Sequence, residues 1–121
     1  MAVARAALPR MSGIGAYTFV VGASATWPVP GSGLVSMEQA AILMMRGVLE
    51  AEGQRRVFAL VLGPVNTRAA VPADPAWITA SQVGAVAVAV SVGSSDGRAL
   101  QLPDGAAAEA ELARPLPAQS A

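Results

Sequence analysis

Two short, continuous apolar runs, Tyr17-Thr18-Phe19-Val20-Val21-Gly22 and Val57-Phe58-Ala59-Leu60-Val61-Leu62, bracket a stretch long enough for about four turns of helix. Neither run alternates polar with apolar residues, so neither suits a sheet with one wet face. Runs of this kind suit parallel strands buried on both sides and joined by a crossover helix. The minimal unit read from the sequence is therefore strand, helix, strand.

The connection leaving the first run, Ala23-Ser24-Ala25-Thr26-Trp27-Pro28-Val29-Pro30-Gly31-Ser32-Gly33, combines prolines, glycines and small residues and sustains neither helix nor strand. A second loop, Gly63-Pro64-Val65-Asn66-Thr67, leaves the second run at the same edge. Ligands of open α/β sheets bind outside the carboxyl ends of the strands. A site, if present, is expected between these two loops. The intervening helix is expected over 37–52, opened by a Ser36-x-x-Gln39 capping box and stopped at Gly53. Its middle, Ala40-Ala41-Ile42-Leu43-Met44-Met45, has no polar residue at any angle, which points to a second protein surface over its outer face.

Read together, Gly15 through Gly22, Pro28 through Ser36, the Ala-rich helix and Leu62-Gly63-Pro64-Val65-Asn66-Thr67-Arg68 resemble the carboxyl-terminal half of the short-chain dehydrogenases/reductases. The resemblance covers 1–103 and implies an α/β fold, a partial Rossmann-like, doubly wound parallel sheet of about three strands with flanking helices. In that family a Tyr and a Lys four residues apart open this helix, the Tyr as general acid/base and the Lys as its pKa-lowering partner. The matching positions here are Val35 and Gln39, and the chain contains no lysine. The family's Ser falls on Gly22, leaving Ser24 as the weak candidate for a catalytic hydroxyl, against its plainer reading as a turn residue. The loop that approaches the nicotinamide carboxamide is matched at Gly63, Val65 and Thr67, with Leu62 in place of the family's Pro. Those three are the implied NAD(P)-facing positions; without a cofactor, Gly63-Pro64 serves as a strand end and Asn66-Thr67 as a turn.

The glycine-rich turn on which the family seats its dinucleotide has no counterpart, since Gly13-x-Gly15 precedes a strand and Gly31-x-Gly33 sits in an irregular loop. The resemblance therefore implies a truncated relative of NAD(P)-dependent oxidoreductases that lacks independent activity, does not bind the cofactor alone, and leaves the edge of its first strand open where the missing half belongs. The alternative is a non-catalytic assembly module pairing through helix 37–52, as a homo-oligomer or with an intact subunit of the family.

Net charge is zero, with eight basic and eight acidic residues and no basic cluster, which argues against nucleic acid. Neither cysteine nor histidine occurs, so thiolate chemistry and the usual zinc sets are excluded. No apolar run reaches the ~20 residues of a membrane span, and the cytoplasm is the expected compartment. A secretory leader, with Arg5 and Arg10 ahead of apolar 14–22 and Ala23-Ser24-Ala25 as cleavage site, is the competing reading.

Residues 69–76, with two prolines, match the family's substrate lid in shortened form. Segment 86–92 alternates β-branched and small residues and could form a hairpin with 98–102. The Thr79-x-x-Gln82 capping box and the resemblance favour a helix over 80–90, followed by a last strand over 98–102. The Ala/Glu/Pro-rich 104–121 is expected to be a disordered tail with a turn of helix near 106–113.

Overall fold

The computed structural model describes residues 2–11, 15–67, 73–93 and 96–115. Its centre is the strand pair read from the sequence. Strand β1 (Tyr17–Gly22) runs parallel to β2 (Val57–Leu62), with Tyr17 beside Val57 and Gly22 beside Leu62. Helix α2 (Gly33–Ala51) connects them. A further strand, β5 (Ala99–Leu102), lies parallel on the other side of β2, giving a three-stranded parallel sheet in the order β1-β2-β5. The chain is thus α/β with a partial Rossmann-like sheet flanked by helices. Upstream of β1, a short α1 (Ala2–Ala7) leads into a 3-10 turn at Leu8–Arg10.

Burial follows strand position. The residues from Val57 to Val61 are at most 1% exposed, because β2 is hydrogen-bonded on both edges and covered on both faces. Two glycines let the backbone close around it. A Cβ on Gly97 would sit 2.1 Å from the Val57 carbonyl oxygen, and one on Gly63 would sit 2.1 Å from that of Pro103. Any side chain there would force β2 and β5 apart.

One face of the sheet carries the main core. Phe58 and Leu60 of β2 and Leu100 and Leu102 of β5 pack with Ile78, with Val86 and Val90 of α3 (Ala80–Val92), and with Ala108 of α4 (Gly105–Leu112). Full burial contributes about 1.5–3 kcal/mol for each large aliphatic or aromatic side chain, so this cluster is the main source of stability. The choice of helix over hairpin for 83–92 is the one observed. Thr79 accepts from the Gln82 N–H and the Gln82 side chain accepts from the Thr79 N–H, closing both ends of the capping box. At the other end of α3, Arg56 donates to the Val90 and Ser91 carbonyls, satisfying orphan acceptors with a cation suited to the helix carboxyl terminus. The same guanidinium lies 5.7 Å from the Phe58 ring centroid.

Two sequence expectations need correction. Helix α2 starts at Gly33 rather than near 37. Its amino-terminal flank is Ser32, whose C=O accepts from the Ser36 N–H at 2.7 Å. The Ser36 hydroxyl is 2.9 Å from that of Ser32, and Gln39 is engaged elsewhere, so the expected Ser36/Gln39 box does not form. At the far end Gly53, with φ +96°, takes the left-handed turn that stops the helix.

The second correction concerns the tail. The helix expected near 106–113 is present as α4, but docked rather than within a disordered tail, and Asp104 caps it by accepting from the Ala107 N–H at 2.8 Å. Ala108 is fully buried against the α3 side of the core. Glu109 accepts from Gln82, and Glu111 pairs with Arg98. Composition underestimates this helix because its docking depends on a small side chain and on polar contacts rather than on large apolar area. Residues 116–121 lie outside the described residues.

Candidate functional site

The two loops singled out from the sequence do emerge together. Gly22 and Leu62 are register partners, so the chain leaves β1 and β2 side by side at one edge of the sheet. Beyond Gly22 the backbone makes a 3-10 turn at Ala23–Ala25, which packs against α2. Beyond Leu62, Gly63 donates to the Leu102 carbonyl, and Val65–Asn66 forms a two-residue strand, β3, parallel to β4 (Ile78–Thr79). Asn66 fixes the return of the loop, since its Nδ2 donates to the Asp74 carbonyl at 2.6 Å and its Oδ1 accepts from the Asp74 N–H at 3.2 Å. The reading of Asn66-Thr67 as a turn is local, whereas the partner of Asn66 eight residues on is a tertiary fact. Residues 69–72, the first half of the shortened lid, lie outside the described residues.

Ser24 is half-buried in the 3-10 turn, and its hydroxyl makes no hydrogen bond among the described residues. Val35 is 49% exposed in the first turns of α2. Gln39 turns back to the strand, where its Oε1 accepts from the Gly22 N–H at 2.7 Å. Gly63 is held to glycine by its approach to Pro103, Val65 packs against the core cluster, and Thr67 is exposed. The structure thus gathers Ser24, Gln39 and Gly63 at the carboxyl edge of the sheet.

None of these side chains carries a group that ionises near neutral pH. A general base or acid works with a pKa close to the operating pH, and a lone serine hydroxyl is a weak nucleophile without one. The set can donate and accept hydrogen bonds but cannot move a proton to or from a substrate by itself. Among the described residues no cluster of three or more His, Cys, Asp or Glu is arranged to hold a metal ion. No helix among them is long and apolar enough to cross a membrane.

The pair whose ionisation is shifted lies at the opposite end of the sheet. Arg55 and Asp96 form an exposed ion pair at 3.1 Å; the hydrogen bond and charge of Arg55 lower the Asp96 carboxyl, while those of Asp96 raise the Arg55 guanidinium. A cavity of about 260 Å³ opens at that same amino edge, lined in part by Leu8, Met11, Gly15, Arg55 and Val57. A smaller apolar notch of about 140 Å³ lies along β1, bounded by Phe19 and by Ala41, Ile42 and Met45 of α2.

The outer face of α2 is uncovered. Leu34, Met37, Met44 and Val48 are 71%, 71%, 70% and 40% exposed, and Ala41 is exposed between them. These five positions follow the alternating three- and four-residue spacing of a helix-pairing seam.

Comparison with family models, with curated proteins and with solved structures finds no match to this chain.

Proposed function

We propose that this chain is a non-catalytic half-domain of the short-chain dehydrogenase/reductase type, corresponding to the carboxyl-terminal part of that fold and lacking independent oxidoreductase activity. The observation that carries this reading is the Gln39 contact. At the position where the resemblance expects a lysine, a neutral amide spends its acceptor on the Gly22 N–H at 2.7 Å. Its neighbour in the expected dyad, Val35, has no proton to give. The parallel three-stranded sheet supports kinship with nicotinamide-binding folds at the level of architecture. The gathered residues Ser24, Gln39 and Gly63 supply no acid or base. The compartment that goes with this reading is the cytoplasm.

The test is a calorimetric titration of the purified 121-residue chain with NADH and with NADPH. The expected result is no heat of binding. Saturable heat with either nucleotide would overturn the reading and assign Gly63, Val65 and Thr67 to a working nucleotide site.

A second reading is favoured by the exposed seam of Leu34, Met37, Ala41, Met44 and Val48. In it, α2 is an assembly surface that pairs with the matching helix of an intact subunit of the same family. Met37→Glu combined with Met44→Glu places charge in the middle of that seam without touching the buried Leu49. Loss of co-purification with such a subunit is the expected outcome; undiminished association would rule the second reading out.

A further inference from the structure

The free edge of β1 is an unusual surface because of its hydrogen-bonding phase. The Tyr17 N–H donates to the Arg56 carbonyl at 3.0 Å, so Tyr17, Phe19 and Val21 direct their backbone groups at β2. Thr18, Val20 and Gly22 consequently direct theirs away from the sheet, where no strand follows among the described residues. The outermost of these amides, Gly22 N–H, is already covered by Gln39. The backbone groups of Thr18 and Val20 have no partner among the described residues.

Natural edge strands are protected by charged side chains, proline or a bulge. Residues Tyr17–Gly22 contain no charge and no proline, and they pair with β2 in unbroken register. The flanking surface is apolar on both faces. On the α2 face lies the notch of about 140 Å³ bounded by Phe19, Ala41, Ile42 and Met45, with the Tyr17 ring 5.0 Å from that of Phe19. On the opposite face Val20 is 55% exposed, because the buried α3 and α4 core is centred on β2 and β5 rather than on β1. The other edge of the sheet is less suited: β5 is four residues long, and its outward positions are Ala99 and Gln101.

We propose that β1 pairs antiparallel with β1 of a second copy of this chain, making one continuous sheet across a two-fold axis. The proposal takes the half-domain reading one step further by naming what lies on its open edge. The register follows from the phase. Within β1, Thr18 and Val20 are the residues whose N–H and C=O both face outward with no partner among the described residues, and an antiparallel hydrogen-bonded pair exchanges both bonds between facing residues. Thr18 therefore faces Val20 of the second copy and the reverse, for about four new hydrogen bonds. Phe19 faces Phe19 of the second copy in the non-hydrogen-bonded pair between them. Cross-strand side chains in such a pair stand about 4.5–5.5 Å apart at Cβ. Each Phe19 thereby reaches the notch beside α2 of the other chain, which is the size of a single large apolar side chain. Gln39, by holding the Gly22 amide, ends the ladder after Val20 and removes registers that slide further along the strand. A second copy is favoured over an unrelated strand because β1 itself supplies both the free groups and the ring that fills the notch.

The chain has no cysteine, which makes the register directly testable in the full-length protein. Facing residues of a non-hydrogen-bonded pair have Cα atoms about 4.5 Å apart, within disulfide reach, whereas two Val20 residues in this register are more than about 7 Å apart. Sedimentation analysis of the native chain should give a dimer. Phe19→Cys should form a covalent dimer on mild oxidation about tenfold or more faster than Val20→Cys. Because Phe19→Cys also removes a ring from beneath α2, a mixture of Thr18→Cys and Val20→Cys chains provides a second test, in which the mixture cross-links and neither chain alone does. Val20→Pro should abolish the dimer with circular dichroism unchanged, since the lost N–H faces outward and edge strands tolerate proline there.

A native chain that stays monomeric at micromolar concentration, cross-linking no faster at 19 than at 20, or a dimer that survives Val20→Pro would each overturn the proposal. The last result would place the interface on another surface. These outcomes are separable from the nicotinamide titration: heat of binding there would remove the non-catalytic reading and leave the strand pairing standing, while a monomer here would do the reverse.

Discussion

Replacing Gln39 tests how position 39 is used more sharply than any assay of turnover. Its Oε1 is the acceptor for the half-buried Gly22 N–H at 2.7 Å. Leaving a buried donor without a partner costs about 1–3 kcal/mol, and partial access to water puts Gln39→Ala near the low end, about 1 kcal/mol. Gln39→Lys does worse: it removes the acceptor and brings three N–H donors and a positive charge toward another donor, so about 2 kcal/mol is expected. Gln39→Glu keeps an acceptor and strengthens it with charge. That carboxyl, hydrogen-bonded in its charged form, would have a lowered folded-state pKa, so its contribution is complete above the unfolded-state pKa and is lost as pH falls through the folded one. For a chain of 121 residues each kcal/mol corresponds to about 3–6 °C in Tm. Urea and thermal unfolding followed by far-ultraviolet circular dichroism at neutral pH should rank the chains Glu, then the native Gln, then Ala, then Lys. Equal stability of Gln39→Lys and Gln39→Glu would refute the argument, because it would mean that the Gly22 contact does not select an acceptor.

Other substitutions probe the frame around that contact. Gly63→Ala brings a Cβ to within 2.1 Å of the Pro103 carbonyl oxygen and should cost at least the top of the about 1–3 kcal/mol range for overpacking, seen as loss of the cooperative urea transition. Thr79→Ala removes the cap on α3 and should lower stability by about 1 kcal/mol, whereas Thr79→Ser should restore most of it. The exposed Arg55–Asp96 pair should contribute a small, salt-sensitive increment that is complete above the usual carboxylate range and disappears as pH falls through the lowered Asp96 value; Asp96→Asn should flatten that part of the acid titration of stability. The double substitution Val35→Tyr with Gln39→Lys should yield no NAD(P)H oxidation with any carbonyl substrate, and measurable turnover would contradict the half-domain reading.

Strands β1 and β2 were legible because they fall on short, largely apolar runs with no charge inside them. Helix α3 was legible only through its first turn. Val86 through Val92 alternates like a strand, yet Val86 and Val90, one helical turn apart, are the residues that reach the core. The start of α2 was misread because Ser36-x-x-Gln39 has the spacing of a capping box, while the partner that captures Gln39 lies 17 residues away in sequence. Local pattern cannot reveal a competitor of that kind. The candidate site was legible as a place, the carboxyl edge beyond Gly22 and Leu62, and as a set of residue types without an acid or base. What each side chain does there was not: Gly63 proved to be a point of backbone approach, and Asn66 the clamp on its loop.

The central position of β2 has a further consequence. The connection through α2 ends on this one strand and the longer one through α3 starts from it; the strand is paired along each edge and tethered at its start by Arg46 donating to the Val57 carbonyl at 3.0 Å. The two halves of the chain therefore have no boundary at which they can part. A break that releases β2 would strand β1 and β5 together, each without a neighbour, so the sheet should be lost in one concerted event rather than peeled away strand by strand.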